Sequence, residues 1–378
     1  MPFINDVLVD NSQSNQLARE VASLSGLRSR FAFDPEQIRI ELEKHIVGQQ
    51  AVIDALCQQL KVIKAGLHDS QRPLCVLLFI GDTGVGKTEL VRTLARCIHG
   101  DNNPGFCCID MNTLSQSHYS AAITGAPPGY VGSKENLTLL NEDAITGSSS
   151  RPGVVLFDEI EKADTAVVRS LMNVFDSGKL RLASGTRELS FCNSLVFMTS
   201  NIGSKQWAQT ARHSGSRGIR QWQRWLPSLQ SRLTGRQRSR ATVIEEAMHS
   251  HFDPEFINRI DRIELFEPLT SAHLTAIVEL ELRQLNQRLR RQGVQVELHP
   301  SALDYLRDQG FDPLFGARSI KRKVRDLLMV PLAEALLSAD RLQADKGSEA
   351  GANRVAGITL HGRNVDGKIE FDLKPAKE

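Results

Sequence analysis

The sequence predicts an α/β protein, a parallel sheet sandwiched by helices, followed by a smaller helical (α+β) C-terminal domain. Three observations carry this. Short, wholly apolar runs such as "CVLLFI" and "VVLFD" alternate with helical patterns, as strands buried on both faces do. One of these runs ends in a glycine loop that opens directly into a helix. After Pro268 the apolar period changes to spacings of three and four.

Taken in order, residues 1–34 are polar and weakly patterned, which predicts a flexible arm or a short docking helix. From Asp34 to about Leu67 the chain reads helical, up to the polar break "HDSQRP". The strands follow as "CVLLFI", "FCCIDM", "VVLFD" (Val154 to Asp158), "SLVFMTS" (Ser194 to Ser200) and, more weakly, "RIELF" (Arg262 to Phe266). Beyond Pro268, Leu274, Ile277, Val278, Leu282, Leu285 and Leu289 mark an amphipathic helix. Further helices are expected around Ala302–Arg307 and Ser319–Leu337, and two strand-like segments, "VAGITLHG" and "GKIEFDL", close the chain. The expected division is an arm over 1–34, a large domain over 35–268 and a small domain over 269–378.

Composition narrows the class without choosing within it. With 378 residues, 41% hydrophobic and 24% charged, the chain suits a soluble protein of two domains. A net charge of +2 gives no global sign of nucleic acid or membrane. No apolar run approaches the ~18 residues of a membrane span. The six cysteines lack CxxC spacing and sit mostly in apolar runs, so they read as reduced core thiols. The N-terminal segment carries Asp6 and Asp10 and no early basic residue, unlike a secretory signal. A cytoplasmic protein is expected, with an organelle matrix as the alternative.

The segment "GDTGVGKT", Gly81, Asp82, Thr83, Gly84, Val85, Gly86, Lys87 and Thr88, lies between an apolar strand and a helix. That context turns a glycine pattern into a phosphate-binding loop. The glycines let backbone N–H groups curl around a β-phosphate, Lys87 supplies a point charge, and the Thr88 hydroxyl can ligate Mg²⁺. In "VVLFDE", Asp158 emerges at the end of a buried strand, where it can hold the metal's water shell. Glu159, one step on, suits a general base for an attacking water. ATP hydrolysis with Mg²⁺ is the expected chemistry, and Glu89 joins the nucleotide-binding set.

A second segment, "GAPPGYVG" (Gly125 to Gly132), sets Tyr130 and Val131 among glycines and prolines. This is loop chemistry, and an apolar pair at a loop tip has little core to bury into. Between Ser204 and Arg240 there are nine Lys or Arg, no Asp or Glu, and all three tryptophans (Trp207, Trp222 and Trp225). This basic stretch, about 204–240, reads as an insertion. Three readings stay open for it: a solvated loop pinned to its own domain, a site for an acidic substrate or adaptor, or a nucleic-acid contact.

From Phe31 to about Leu337 the chain resembles the AAA+ module of the Clp ATPases, in particular the second ATPase ring of ClpB-type disaggregases. The segments that carry the resemblance, in family order, are "HIVGQQAV", "GDTGVGKTEL", "IDM", "GAPPGYVG", "LFDEIEKAD", "FDSGKLRLASGTRELSF", "FMTSNIGS", "FDPEFINRID" and "FDPLFGARSIKRKV". The resemblance implies an AAA+ P-loop domain, a homohexameric ring with nucleotide at the subunit interfaces, and unfolded or aggregated protein as substrate. It implies that "IVGQ", with Val47, packs the adenine, that Asn201 orients the attacking water, and that Arg259 is an arginine finger acting in trans. It makes Arg318 a second sensor tied to the small domain, and Tyr130 and Val131 the pore-loop pair that grips polypeptide.

The sequence also departs from that family. Asp82 stands where proline is usual, which a backbone cradle should tolerate, and "SKENLTLL" replaces an acidic-glycine segment. The layout is expected to be single-ring, like the mitochondrial single-ring disaggregases. "RGIRQ" does not match a peptidase-docking tripeptide, so no peptidase partner is expected. The leading reading is an ATP-driven unfoldase or disaggregase. The alternatives are a remodeller of nucleic acid or of an acidic partner, and a slowly hydrolysing switch.

Overall fold

The structure is a computed structural model that describes residues 29–101, 105–115, 140–181, 188–204, 207, 240–310, 316–344 and 358–375. Its centre is a five-stranded parallel sheet. The strands are β1 (Cys75–Ile80), β2 (Phe106–Asp110), β3 (Gly153–Asp158), β6 (Ser194–Ser200) and β7 (Arg262–Leu265), in the order β2-β3-β6-β1-β7. β1 and β6 are buried along their whole length and sit in the middle, which is why they read as unbroken apolar runs.

One face packs on α1 (Pro35–His45), α2 (Gln50–Lys64) and α3 (Lys87–His99); the other packs on α4 (Glu142–Thr146), α5 (Thr165–Ser177), α6 (Arg240–His251) and the short α7 (Pro254–Ile257). The two layers form separate apolar clusters divided by the sheet, as its period-two alternation dictates. Phe31 and Phe33 are buried in the first cluster, and Ala32 N donates to Ser150 O, so the end of the expected arm is packed.

Three expectations are refined. The helical reading from Asp34 to Leu67 breaks at Ile46–Gln49, where Gly48 takes φ 76° and leaves two helices. A small hairpin, β4 (Lys179–Arg181) with β5 (Glu188–Ser190), interrupts the sheet order. Cys108 is exposed, which corrects the core reading for that thiol: β2 is an edge strand of alternating burial, and Cys108 falls on its open side. All six cysteines are free.

Beyond β7 the chain builds a second layer. The long amphipathic helix α8 (Ser271–Leu289) buries Leu274, Ile277, Val278, Leu285 and Leu289 against α9 (Pro300–Gly310) and α10 (Ala317–Val324). Arg325–Met329 forms a π-helical turn leading into α11 (Val330–Ala344). The two tail strands, β9 (Ile358–Val365) and β10 (Lys368–Pro375), pair antiparallel, and β9 pairs in parallel with β8 (Val294–Leu298).

Candidate functional site

The candidate site lies at the carboxyl ends of β1, β3 and β6, where open parallel sheets collect ligands. The loop from Gly81 to Gly86 leaves β1 and delivers Lys87 and Thr88 as the first residues of α3. Gly84 and Gly86 take φ 79° and 107°, left-handed values that glycine adopts without strain. Gly81 is needed for closeness instead: a Cβ there would lie 2.8 Å from Phe266 Cβ.

Lys87 is 7% exposed. Its ammonium donates to Gly81 O (2.6 Å), Asp82 O (2.8 Å) and Asn201 Oδ1 (2.7 Å). Burial lowers its pKa to about 8, against the opposing pull of Glu161, Asp158, Asp82 and Glu159. The Thr88 hydroxyl donates to Asp158 Oδ1 at 3.0 Å. A hydroxyl and a carboxylate oxygen at this spacing suit Mg²⁺, which takes one or two protein oxygens and completes its shell with phosphate and water.

Asp158 and Glu159 are held by a residue that the sequence reading missed. Thr199 on β6 donates its hydroxyl to Asp158 Oδ1 and accepts from Glu159 N at 2.9 Å. Glu159 takes φ 59°, a left-handed conformation unusual for a residue with a side chain. Its Oε1 accepts from Asn201 Nδ2 at 3.3 Å, and its Oε2 pairs with Lys162 at 2.7 Å. Asn201 N in turn donates to Glu161 Oε1 at 3.1 Å. Lys87, Asn201 and Glu159 therefore form one connected chain. The signal for Thr199 was a polar residue at the end of an otherwise apolar strand, next to Asp158 at the end of the adjacent strand β3.

A cavity of about 350 Å³ opens over these groups, lined by Thr83 to Glu89 from the loop and by Ile46 and Val47 from the α1–α2 break. The small domain closes it with Ile277, Ala317 and Arg318. Of the "IVGQ" segment, Gln49 acts elsewhere. It is 2% exposed and exchanges hydrogen bonds with Glu267 N and O, both at 2.9 Å, fastening the α1–α2 break to the strand end beside the loop.

The small domain touches the phosphate loop itself. Ala317 N donates to Gly84 O at 3.0 Å, and a Cβ on Gly316 (φ 52°) would lie 3.0 Å from Thr83 O and Gly84 O. Arg318 follows on the exposed side of α10, lining the cavity with no partner among the described residues. Arg259 is placed differently. It lies outside the cavity, bonded to Asp176 and to Glu255 Oε1 (2.9 Å), and those two carboxylates hold its pKa above the ordinary value.

Asp82 does not line the cavity. Its carboxylate faces Arg240 at 3.5 Å, and Arg240 also reaches Glu267 at 3.3 Å. Asp82 thus ties the phosphate loop to the end of the basic insertion. The rest of that insertion apart from Ser204 and Trp207, and also Tyr130 and Val131, lie outside the described residues. Among the described residues, no helix is long and apolar enough to cross a membrane.

A phosphate loop at the end of β1, a carboxylate pair at the end of β3 with β6 between the two strands, and a second domain closing the cleft define a P-loop ATPase of two-domain design. The chain belongs to the AAA family: residues 72–263 match the AAA domain (Cdc48 subfamily), and residues 269–348 match the C-terminal, D2-small domain of ClpB protein. It is 46% identical to the "ATP-dependent protease ATP-binding subunit-like protein AmiB" of Pseudomonas aeruginosa, over 89% of this chain and 93% of that one. A similarly described protein of Rhodococcus erythropolis is 41% identical over 89% of this chain and 92% of its own length. The "Chaperone protein ClpB" of Meiothermus ruber is 38% identical over 79% of this chain, which spans 32% of that protein.

Proposed function

We propose that this ATPase unfolds or disaggregates protein by threading polypeptide through the pore of a homohexameric ring. The observation that carries the reading is the cleft itself. Groups suited to hydrolysis come from the sheet, while α10 meets the same loop through Ala317 and presents Arg318. A γ-phosphate that engages Arg318 would draw the small domain inward, and its loss would release it. Nucleotide turnover then becomes domain motion.

In this reading Lys87 and the loop amides hold the phosphates, and Thr88 and Asp158 hold Mg²⁺. The metal neutralises charge on the phosphates when bound. Glu159 takes the proton of the attacking water, and Asn201 fixes the carboxylate it bonds. Arg259 lies outside its own cavity, which suits a finger offered to the neighbouring subunit. Tyr130 and Val131 would grip substrate, since a flat aromatic with a water-tolerant hydroxyl contacts many sequences.

The test is the steady-state ATPase rate with and without an unfolded model protein. Stimulation in the wild type that disappears in Tyr130→Ala supports threading. Equal stimulation in both would remove the pore-loop role. A second reading, an ATP-binding subunit serving a peptidase, is favoured by the names of the Pseudomonas and Rhodococcus relatives. Affinity capture of the Glu159→Gln variant with bound ATP separates the two, because only the second predicts a stoichiometric peptidase.

A further inference from the structure

The nucleotide cleft continues into a second cavity of about 550 Å³, between α1 and α3 on one side and the end of α8 on the other. The two cavities share His45, Glu89 and Lys321, but none of the loop residues Thr83 to Thr88. The second one is strongly basic. Arg96 enters from the large domain, and Arg288, Arg291 and Lys321 enter from the small domain.

Two of these charges are already compensated. Arg96 pairs with Glu89 at 3.0 Å and Lys321 with Glu281 at 3.0 Å. Arg288 and Arg291 have no carboxylate partner among the described residues, which leaves two positive charges in excess. Arg96 Nε is buried with no hydrogen-bond partner, and the amides of Gln284 and Gln287 add uncharged donors to the wall. Guanidinium forks match phosphate oxygens in geometry as well as in charge. Charges placed on both domains suit an extended, multivalent anion better than a single phosphate.

We propose that this cavity binds a multivalent phosphate anion beside the nucleotide site, either a free polyphosphate or a nucleotide phosphorylated on its ribose as well as at the 5′ position. Bound there, the anion bridges the two domains through Arg96 on one side and Arg288 and Arg291 on the other. It therefore slows ATP turnover, a consequence that rests on the domain motion proposed above. The binding itself rests only on the cavity.

The experiment is calorimetric titration of tripolyphosphate into the full chain saturated with ADP. One anion per chain should bind, more weakly as salt rises. The double variant Arg288→Glu/Arg291→Glu should lose roughly tenfold or more in affinity for tripolyphosphate and keep its affinity for ADP. In parallel, adenosine 3′,5′-bisphosphate is compared with AMP on the nucleotide-free chain. A preference for the bisphosphate that vanishes in the double variant identifies the nucleotide-borne source, and tripolyphosphate binding without that preference identifies the free anion. The proposal is overturned if neither ligand distinguishes wild type from the double variant, or if tripolyphosphate binds only by displacing ADP. The ADP affinity measured alongside shows separately whether the nucleotide site is intact.

Discussion

The sheet side of the nucleotide cleft and its small-domain side differ in how their side chains are held. On the sheet side, Lys87 donates to three oxygens, Thr88 bonds Asp158, Thr199 braces Asp158 and Glu159, and Asn201 joins Lys87 to Glu159. On the small-domain side the backbone of Ala317 is fastened to the loop, but the Arg318 guanidinium has no partner among the described residues. One wall is fixed by its own hydrogen bonds, the arrangement that electrostatic preorganisation requires. The other presents the Arg318 charge to the cavity, and in the proposed mechanism it is the wall that answers to the nucleotide. Arg259 is a third case: a charge committed to Asp176 and Glu255, which under the proposed trans role would have to exchange partners.

The largest expected effect would break this comparison at Arg259. Arg259→Ala should lower kcat roughly 10³-fold or more while leaving ADP affinity intact, if the finger acts in trans. A normal rate in the assembled protein would make the Asp176 and Glu255 contacts merely structural. Next comes Glu159→Gln, expected to cost about 10²- to 10⁴-fold in single-turnover hydrolysis with ATP still bound. Arg318→Ala should be milder, roughly 5- to 150-fold in the difference between ATP and ADP affinities, because it removes a coupling and not the chemistry.

A pH series sharpens the picture of the preset wall. With its pKa lowered to about 8, Lys87 is mostly charged at pH 7 and mostly neutral at pH 9. Phosphate favours the charged form, so nucleotide binding should take up a proton above pH 8, and affinity should fall roughly tenfold between pH 7 and 9. Calorimetry in buffers of different ionisation enthalpy reads both effects. The smallest expected effect is at the insertion's end, where Arg240→Ala should lower unfolding free energy by about 1 kcal/mol by removing a partly exposed pair with Asp82.

What could be read from the sequence depended on how locally each feature is determined. β1, β3 and β6 are central and buried on both faces, so their apolar runs and the motifs at their ends were legible. β8, "VQVEL", was not, since its parallel partner β9 follows some sixty residues later and nothing local marks the pairing. The β4–β5 hairpin has three paired residues on each strand and exists through tertiary context. Helix punctuation was legible only in part: Gly48 ends α1 by its backbone, yet apolar residues continue across it. Within the site, the residues proposed to touch nucleotide announced themselves by motif. Thr199, Glu161 and Gly316 act on those residues or on the loop backbone, and only the folded arrangement brings them there.

The most direct test of the central claim is the distance between the two domains in each nucleotide state. Dyes placed at Ile40 on α1 and Asp304 on α9, both exposed positions, report it by energy transfer. Two distinct distances with ATP-bound Glu159→Gln and with ADP, collapsing to one when Arg318→Ala is added, are the predicted result. A single distance in both states with Arg318 intact would contradict the coupling of hydrolysis to domain motion.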